Sequence, residues 1–577
     1  MGVAGRTAQA TQLFGSVVEA YDRMEMDAKT YVLAVLTPTA VFFLGTIVLA
    51  LVWETLFFVR LLLPVLGAVF LATGVAYPKL ALDSRRIEME NRFHLMVTHM
   101  TVLSTTNIDR MEVFRKLAQE DEYGELTVEN RRVVQLVDTW NQSLDDALRR
   151  RAKSVPSESL TDLFDRLAYT LGAGQEMSDF LFEEQDVIIE NYRTLYQQSL
   201  DNLDVMKDLY LSMVLSMTFA LVFAIVLPIL TGTNPTLTVA AVIAMFMFVQ
   251  IGFFLVIRAI VPYDPVWYLE KGYRTRSKQL LLGSTVVAVA LFVLIVSSML
   301  ASAFGVWPFT VLVPMGSIPT PLYLAVPTLP FLFPALVFRR EEKAIVERDE
   351  EFPSFIRALG ASESAKQSTT STVLRSLRKK DFGSLTETVD SLYRRLNMRI
   401  DTESAWRYFA EDTKSYVIQK FSEMYLIGRE MGGDPKQLGE LISRNMNQIT
   451  QLREQRRQVT VTLVGLLYGI SAASAFAFFT GLEIAVIMSG FEIDIASTGG
   501  VEFGQLLHTE MYNVPLLRYL LLLVLLFNAV MSALTIRTAD GGHYGNALLH
   551  FVALIWVGCL TALATETLIA TLLDVEL

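Results

Sequence analysis

The titratable residues of the sequence do not form a pattern that predicts catalysis. No stretch fits G-x-x-x-x-G-K-[ST], the loop that cradles nucleotide phosphates. Gly172-Ala-Gly174 lacks the third glycine and the preceding strand of a dinucleotide-binding motif, so we predict a helix-end turn there. His94 and His99 are spaced i, i+5 rather than the i, i+4 that aligns two metal ligands, which favours an amphipathic surface or interface. We therefore predict no enzyme activity and no catalytic, cofactor-binding or metal-binding residues.

Short clusters of basic side chains are the other candidate for function, because complementary charges steer association and fix its register. Clusters beside apolar stretches, such as Arg453 to Arg457, are explained equally well by positive-inside bias or contact with anionic lipid. The other clusters have two interpretations: they form a docking surface for a protein partner, or they are simply solvated. Nucleic acid is not a predicted partner. The docking candidates are Arg149, Arg150, Arg151, Lys153, Arg375, Arg378, Lys379, Lys380, Arg394 and Arg395.

Long uncharged stretches identify the elements that carry these clusters. Only 19% of the 577 residues are charged, against about 25% in soluble domains, and the mean hydropathy is +0.40. A helix needs about 20 apolar residues to cross a bilayer, and turn signals divide the longest stretches. We predict nine membrane spans, at 31–53, 56–77, 209–231, 237–258, 280–303, 321–338, 459–482, 516–536 and 547–568. Four prolines in 321–338 predict that this span is kinked or broken.

The distribution of positive charge predicts the orientation of these spans. With a cytoplasmic N-terminus and an external C-terminus, 47 of the 49 Lys and Arg residues lie in inner segments. The other two, Arg60 and Arg518, lie near the outer ends of their helices, where they can reach the interface. We therefore predict a multi-pass protein of the cell membrane.

Two long polar segments, 79–208 and 339–458, face the cytoplasm in this topology. Leu160, Leu163, Phe164 and Leu167 illustrate their helical periodicity. Helix N-caps are predicted at Asp109, Ser157 and Asp401, and a helix stop at Gly432-Gly433. The predicted fold class is an all-α polytopic membrane protein with two homologous cytoplasmic helical bundles.

The two polar segments also repeat in sequence. Glu122-Tyr-Gly-Glu-Leu-Thr127 matches Asp381-Phe-Gly-Ser-Leu-Thr386 at an offset of 259, and Asp146-Ala-Leu148 matches Ser404-Ala-Trp406 at 258. Each segment follows a membrane hairpin and precedes another, with a ninth span appended. The predicted domains are a cytoplasmic N-terminal segment 1–30, a hairpin 31–78, bundle 79–208, hairpin 209–258, loop 259–279, hairpin 280–338, bundle 339–458 and three spans in 459–577.

These segments resemble the type II secretion system F-domain family, the membrane platforms of type IV pilus-like machines. The first copy carries its motifs as Tyr123-Gly-Glu-Leu126, Ser143-Leu-Asp-Asp-Ala-Leu148, and Gly174 with Leu181. The second copy carries Phe382-Gly-Ser-Leu385, Thr402-Glu-Ser-Ala-Trp406, and Gly433 with Leu438 and Leu441, departing from the pattern at Trp406. Two copies, each after a membrane hairpin, look most like the archaeal branch, which serves the archaellum or archaeal adhesion pili.

The resemblance implies partners that composition and periodicity do not show. They are a hexameric secretion ATPase in the cytoplasm and archaellin or pilin subunits drawn from the bilayer. Two pseudo-equivalent bundles suggest a homodimer facing a six-fold partner. The compact chain favours the archaellum over an adhesion pilus as its machine.

A secondary transporter or channel is the rival class for a protein with nine spans. Such proteins usually place ionisable residues near the bilayer midplane, whereas here the span-associated charges lie near helix ends. These charges are Glu54, Arg60, Glu483, Arg518 and Glu566. Arg outnumbers Lys by 35 to 14, and segment 79–208 holds 25 acidic and 16 basic residues. This composition predicts a salt-rich cytoplasm, typical of a halophilic archaeon.

Overall fold

The computed structural model describes residues 28–52, 57–106, 108–262, 264–268, 276–303, 318–367, 370–497 and 513–573. Within these ranges the chain is helical, with one isolated bridge between Trp267 and Ser415. The predicted all-α class is confirmed. The chain forms two compact units, Met1–Ile188 and Ile189–Leu577.

The first unit contains short helices between two long ones. Its helices are α1 (Ala28–Tyr31), α2 (Thr37–Val52), α3 (Phe57–Ser104), α4 (Arg110–Leu117), α5 (Glu125–Asp138), α6 (Leu144–Ala152), α7 (Glu158–Gly172) and the start of α8 (Met177–Thr231). The predicted stripe on α7 is confirmed, because Leu160, Leu163, Phe164 and Leu167 are buried. The Ser157 hydroxyl accepts a hydrogen bond from the Leu160 amide at 3.1 Å, as expected of an N-cap.

The second unit begins within α8 and contains the remaining helices. They are α9 (Pro235–Ile260), α10 (Arg276–Ala303), α11 (Leu322–Ala325), α12 (Leu332–Lys366), α13 (Thr370–Leu377), α14 (Thr386–Asn397), α15 (Thr402–Thr413), α16 (Tyr416–Glu430), α17 (Pro435–Ser497), α18 (Val514–Asp540) and α19 (Ala547–Leu573). A 3₁₀ segment, Val326–Phe331, separates α11 from α12. The break predicted from the prolines of the sixth span is therefore present.

Among the described residues, eight helices are long and apolar enough to cross a membrane. They are Lys29–Ala50, Met177–Ile229, Pro235–Ile260, Gln279–Ser302, Leu322–Lys366, Pro435–Ile487, Val514–Asp540 and Tyr544–Ile569. They correspond to eight of the nine predicted spans. The remaining predicted span, 56–77, lies partly outside the described residues, and its described part belongs to α3.

The helix order of the first unit recurs in the second. The series α3 to α8 corresponds to α12 to α17, and a 3₁₀ turn precedes both α5 and α14, at Asp121–Tyr123 and Gly383–Leu385. The long helices α8 and α17 pass without interruption from polar sequence into apolar sequence. This continuity is present in both repeats.

Cross-helix contacts fix the direction of the short helices in the first unit. Arg85 lies 3.7 Å from Glu125 and Arg86 lies 3.2 Å from Glu158, so α5 and α7 both begin beside the middle of α3. Farther along α5, the Asn130 amide lies 3.2 Å from the Met96 sulfur. Farther along α7, Arg166 pairs with Glu184, whose neighbour Gln185 donates to Thr98. Both helices therefore run away from the apolar part of α3. The turns after α5 and α7 consequently lie at what we call the distal end of this bundle, farthest from the apolar part of α3.

The second bundle has the same arrangement. Lys414, which follows α15, lies 2.6 Å from Glu341 near the apolar part of α12. Arg429, near the end of α16, contacts Glu363 at 2.9 Å near the opposite end of α12. The turn between α14 and α15 therefore lies at the distal end of this bundle.

Two histidines lie in the core of a bundle, whereas the sequence suggests an amphipathic surface or interface. His94 and His99 are 5% and 2% exposed and lie in the core of the first bundle. The Nδ1 atom of His99 is 3.0 Å from the Tyr123 hydroxyl. Burial is possible here because a hydrogen bond offsets the cost of desolvating the imidazole.

Candidate docking surface and membrane junction

The second bundle brings two of the predicted basic clusters together. Asp390 on α14 lies 3.2 Å from the Nε atom of Arg378 and 3.5 Å from that of Arg394. The guanidinium of Arg378 also lies over the Tyr393 ring, 4.8 Å from its centroid. We use the name basic face for the exposed cations that this arrangement places together, Arg375, Arg378, Lys379, Lys380 and Arg394.

Arg395 has a different role from the basic face. It is half-buried, lies 2.7 Å from Asp412 and stacks over Tyr408 at 5.3 Å. These contacts join α14 to α15. Its charge is therefore committed within the bundle.

The basic cluster of the first unit is divided in the same way. Glu129 is buried and accepts hydrogen bonds from Arg151 Nε at 2.9 Å and Arg132 at 2.5 Å. Arg151 therefore neutralises a carboxylate within its own bundle. The other three candidates, Arg149, Arg150 and Lys153, are exposed.

The turn that carries part of the basic face has opposite charge in the first unit. Leu377 is followed by Arg378-Lys379-Lys380, whereas Leu117 at the end of α4 is followed after one alanine by Gln119-Glu120-Asp121. Both turns end in a buried aromatic residue and a glycine with positive φ, Gly124 at 60° and Gly383 at 54°. The positive-φ glycine after a buried aromatic residue is thus common to both repeats, while the charge is reversed.

The distal turns expose large apolar side chains at equivalent places. Trp140 is 70% exposed and Met398 is 66% exposed, and each precedes a residue with positive φ, Asn141 or Arg399. Tryptophan and methionine are enriched in protein interfaces relative to the rest of the surface. Neither residue is among those predicted from the sequence, although the offset of 258 between them equals that of the nearby motif match.

A buried ionic cluster joins the loop after α9 to the second bundle. Arg453 on α17 donates to Asp264 at 2.6 Å and 2.8 Å and to Asp349 on α12 at 2.6 Å. Such bidentate pairing is strong and geometrically specific. Asp349 lies beyond Phe338, where the uncharged part of α12 ends, and burial raises its pKa to about 6. This cluster fixes three segments at the base of the bundle.

A second buried carboxylate holds the turn between α18 and α19. Glu342 accepts hydrogen bonds from the Trp267 indole at 2.7 Å and from the His543 amide at 2.8 Å. The Asn546 side-chain amide donates to it as well. The Trp267–Ser415 bridge attaches the same loop to the start of α16.

Arg453 and Arg456 make contacts within the protein, which limits their exposure for contact with lipid. Arg456 is 4% exposed and donates to the backbone carbonyls of Ala539, Thr538 and Pro262 at 2.7 Å, 3.1 Å and 3.3 Å. It thereby caps the final carbonyls of α18. Of this cluster, Arg457 is the exposed arginine.

Comparisons with known proteins agree with this architecture. The sequence pattern of the family described as type II secretion system (T2SS), protein F matches residues 96–227. The flagella accessory protein J of Methanocaldococcus jannaschii is 33% identical over 569 residues, covering 97% of this chain and 99% of that protein. The flagella accessory protein J of Methanococcus voltae is 31% identical over 564 residues, covering 96% and 99%. No solved structure matches the chain. The chain therefore belongs to the flagella accessory protein J family.

Proposed function

We propose that this protein is the membrane platform of an archaellum assembly machine. In this role it couples a cytoplasmic hexameric secretion ATPase to the insertion of archaellin-like subunits into the filament. Nearly full-length similarity to two flagella accessory J proteins supports the assignment to an archaellum machine. The observation that carries the coupling is the pair of unbroken helices, α8 and α17, that continue from each bundle into a span.

Gene deletion tests the choice of machine. We expect the deleted strain to lose swimming and to keep surface attachment, with motility restored by the intact gene. Loss of attachment with normal swimming would instead support the platform of an adhesion pilus.

We also propose that both bundles, 79–208 and 339–458, lie in the cytoplasm, with the N-terminus inside and the C-terminus outside. Cys559, the single cysteine, is buried, so a Cys559→Ala background permits single-cysteine labelling. With a membrane-impermeant maleimide, Thr233→Cys should react in intact cells, whereas Ser154→Cys and Ser376→Cys should react only after permeabilisation. Labelling of either bundle in intact cells would reject this topology.

The basic face is the proposed docking surface for the ATPase. Arg375, Lys379 and Lys380 are its exposed members outside the Asp390 pairs, so their reversal should leave the bundle folded. We expect R375E/K379E/K380E to abolish co-purification of the ATPase at moderate salt, because the attraction becomes repulsion.

Two exposed cations elsewhere in the second bundle, Arg407 and Lys436, provide the matched control. The R407E/K436E variant should bind the ATPase as the unmodified protein does. If the triple reversal also binds normally, the basic face is not the docking surface. Separate reversal of Arg149, Arg150 and Lys153 then tests the first unit.

A homodimer is the proposed oligomeric state, since two chains would present four bundles to a six-fold partner. Light scattering of the detergent-solubilised protein, corrected for bound detergent, should give twice the chain mass. A monomer mass across a range of concentrations would reject the dimer.

A further inference from the structure

A cavity of about 810 Å³ opens beside the ionic cluster of the second unit. Two of its walls are α12 from Arg339 to Glu350 and α17 from Thr450 to Val464. The end of α18 and the start of α19 form the third wall. It therefore extends along α17 from the charged base of the bundle into apolar sequence.

The chemistry of the lining changes along this length. The end of the cavity nearest the apolar sequence is lined by Val461, Val464 and Leu549. Val461 is 62% exposed there. The arginines Arg339, Arg457 and Arg537 lie at the beginning of the charged region. Several carboxylates, including Glu347, Glu350 and Glu454, line the part farther toward the bundle. A ligand with an anionic end is therefore attracted to the arginines and repelled from going deeper.

The positive charge at the arginine level is incompletely neutralised by the protein. Arg456 donates to backbone carbonyls rather than to a carboxylate. Arg537 lies over the Tyr544 ring at 3.4 Å, and its Nε is buried without a hydrogen-bond acceptor among the described residues. Arg457 is 3.9 Å from Glu454, with both side chains more than half exposed, a weak pair at such exposure.

Two carboxylates also lie at this level of the cavity. Glu342 is already engaged by three hydrogen-bond donors. Asp540, the last residue of α18, lines the cavity at the same level. Four arginines thus share this level with these two carboxylates and with Glu454, the partner of Arg457, which still leaves an excess of positive charge.

We propose that this cavity binds an anionic membrane lipid. Its headgroup would accept hydrogen bonds from Arg339, Arg457 and Arg537, and a hydrocarbon chain would lie along Val461 and Leu549. Basic pockets between membrane helices at the polar boundary are suited to anionic headgroups. The apolar wall next to the arginines favours a lipid over a free phosphate, because a free anion leaves that wall without a partner.

The test compares purified full-length protein in nanodiscs of phosphatidylcholine with and without phosphatidylglycerol. We expect phosphatidylglycerol to raise Tm for the unmodified protein, since a ligand that binds the folded state stabilises it. The R339Q/R457Q variant should lose this increment. Arg340 is the matched control, because it is exposed on the same helix but does not line the cavity, and R340Q should keep the increment.

Native mass spectrometry of the single variants provides a second readout that does not depend on Tm. The unmodified protein and R340Q should retain phosphatidylglycerol, and R339Q and R457Q should lose it. Equal retention and equal Tm increments in all variants would overturn the proposal. So would an equal Tm increment from inorganic phosphate in phosphatidylcholine nanodiscs, because that result identifies a free-anion site.

Discussion

Individual charges in this protein divide into those that hold a bundle together and those left on its surface. Arg453 illustrates the first kind, because two carboxylates engage its guanidinium. Removing one partner of a buried ion pair typically costs about 3–5 kcal/mol, since the other charge stays buried. Lys379 and Lys380 illustrate the second kind, and their substitution should affect binding more than stability.

Asp349 should make the stability of the protein depend on pH. Burial raises its pKa from 3.8 to about 6, so the folded protein retains a proton that the unfolded chain releases between these values. Its contribution to the free energy of unfolding is therefore complete below pH 3.8 and lost as the pH rises through about 6. We expect Asp349→Asn to remove a fall of about 3 kcal/mol in the free energy of unfolding over this window.

The measurement is Tm of the solubilised protein across a pH series. Glu350→Gln, an exposed neighbour on α12, is the control and should leave the pH dependence unchanged. An identical decline of Tm in Asp349→Asn and the unmodified protein would contradict the assignment.

The partners of these charges explain what the sequence could and could not predict at this scale. The sequence predicts the exposed clusters because their residues are neighbours on one helix or turn. Arg453, in contrast, meets Asp264 and Asp349 across 189 and 104 residues of chain. No local pattern indicates such a pair, so the burial of Arg453 and Arg456 emerges only from the fold.

Helices and their ends were the most predictable elements. Ser157 and Asp401 cap α7 and α15 as expected, with side-chain acceptors 3.1 Å from the Leu160 and Ser404 amides. Asp109 also precedes a helix, although its side chain makes no capping hydrogen bond. Local hydrogen bonding determines these ends, and local sequence therefore predicts them.

The crossing of α12 and α17 depends on two glycines instead. A Cβ atom at Gly360 would lie 2.2 Å from the Pro435 carbonyl oxygen, and one at Gly439 would lie 2.8 Å from the Ile356 carbonyl oxygen. Backbone atoms cannot move away as a flexible side chain can. The sequence does not reveal this contact, because nothing near Gly360 indicates which helix it faces.

Gly360→Ala should therefore separate α12 from α17. We expect it to destabilise the protein by about 1–3 kcal/mol, the usual cost of inserting a methyl group into a packed contact, and to lower Tm. Gly465→Ala on α17 is the control, because no atom lies within 4 Å of the added methyl. Alanine also favours a helix by about 1 kcal/mol over glycine, so Tm should stay constant or rise in the control. Equal Tm values for the two variants would refute the close crossing.

The whole molecule repeats one design, a polar bundle between long helices. The repeat was predictable because the spacing between motifs is nearly the same in both segments. The order of helices is also the same in both. The charges diverge, since segment 79–208 has 25 acidic and 16 basic residues and segment 339–458 has 19 and 22. The repeats are thus equivalent in helix order and different in the surfaces they offer, which suits distinct contacts to a shared partner. A salt-rich cytoplasm stays a prediction from composition.

If the bundles transmit displacement to the spans, a break in a connecting helix should uncouple the two. The α8 helix has 55 residues and is roughly 80 Å long at the usual rise. Gln198 is exposed on α8 between the bundle and the span. Proline there removes a helical hydrogen bond and kinks the helix, at a cost of about 3 kcal/mol. We expect Gln198→Pro to abolish swimming while the protein still accumulates in the membrane and still binds the ATPase.

Gln198→Ala is the control for this substitution and should swim normally, because alanine preserves the helix. Gln451→Pro, also exposed, makes the same break in α17 and shows whether both repeats transmit. Loss of ATPase binding in Gln198→Pro would indicate misfolding rather than uncoupling. In that case, swimming of the Gln451→Pro variant decides whether a connecting helix transmits displacement. Normal swimming with both helices broken would mean that work reaches the bilayer by a route other than these helices.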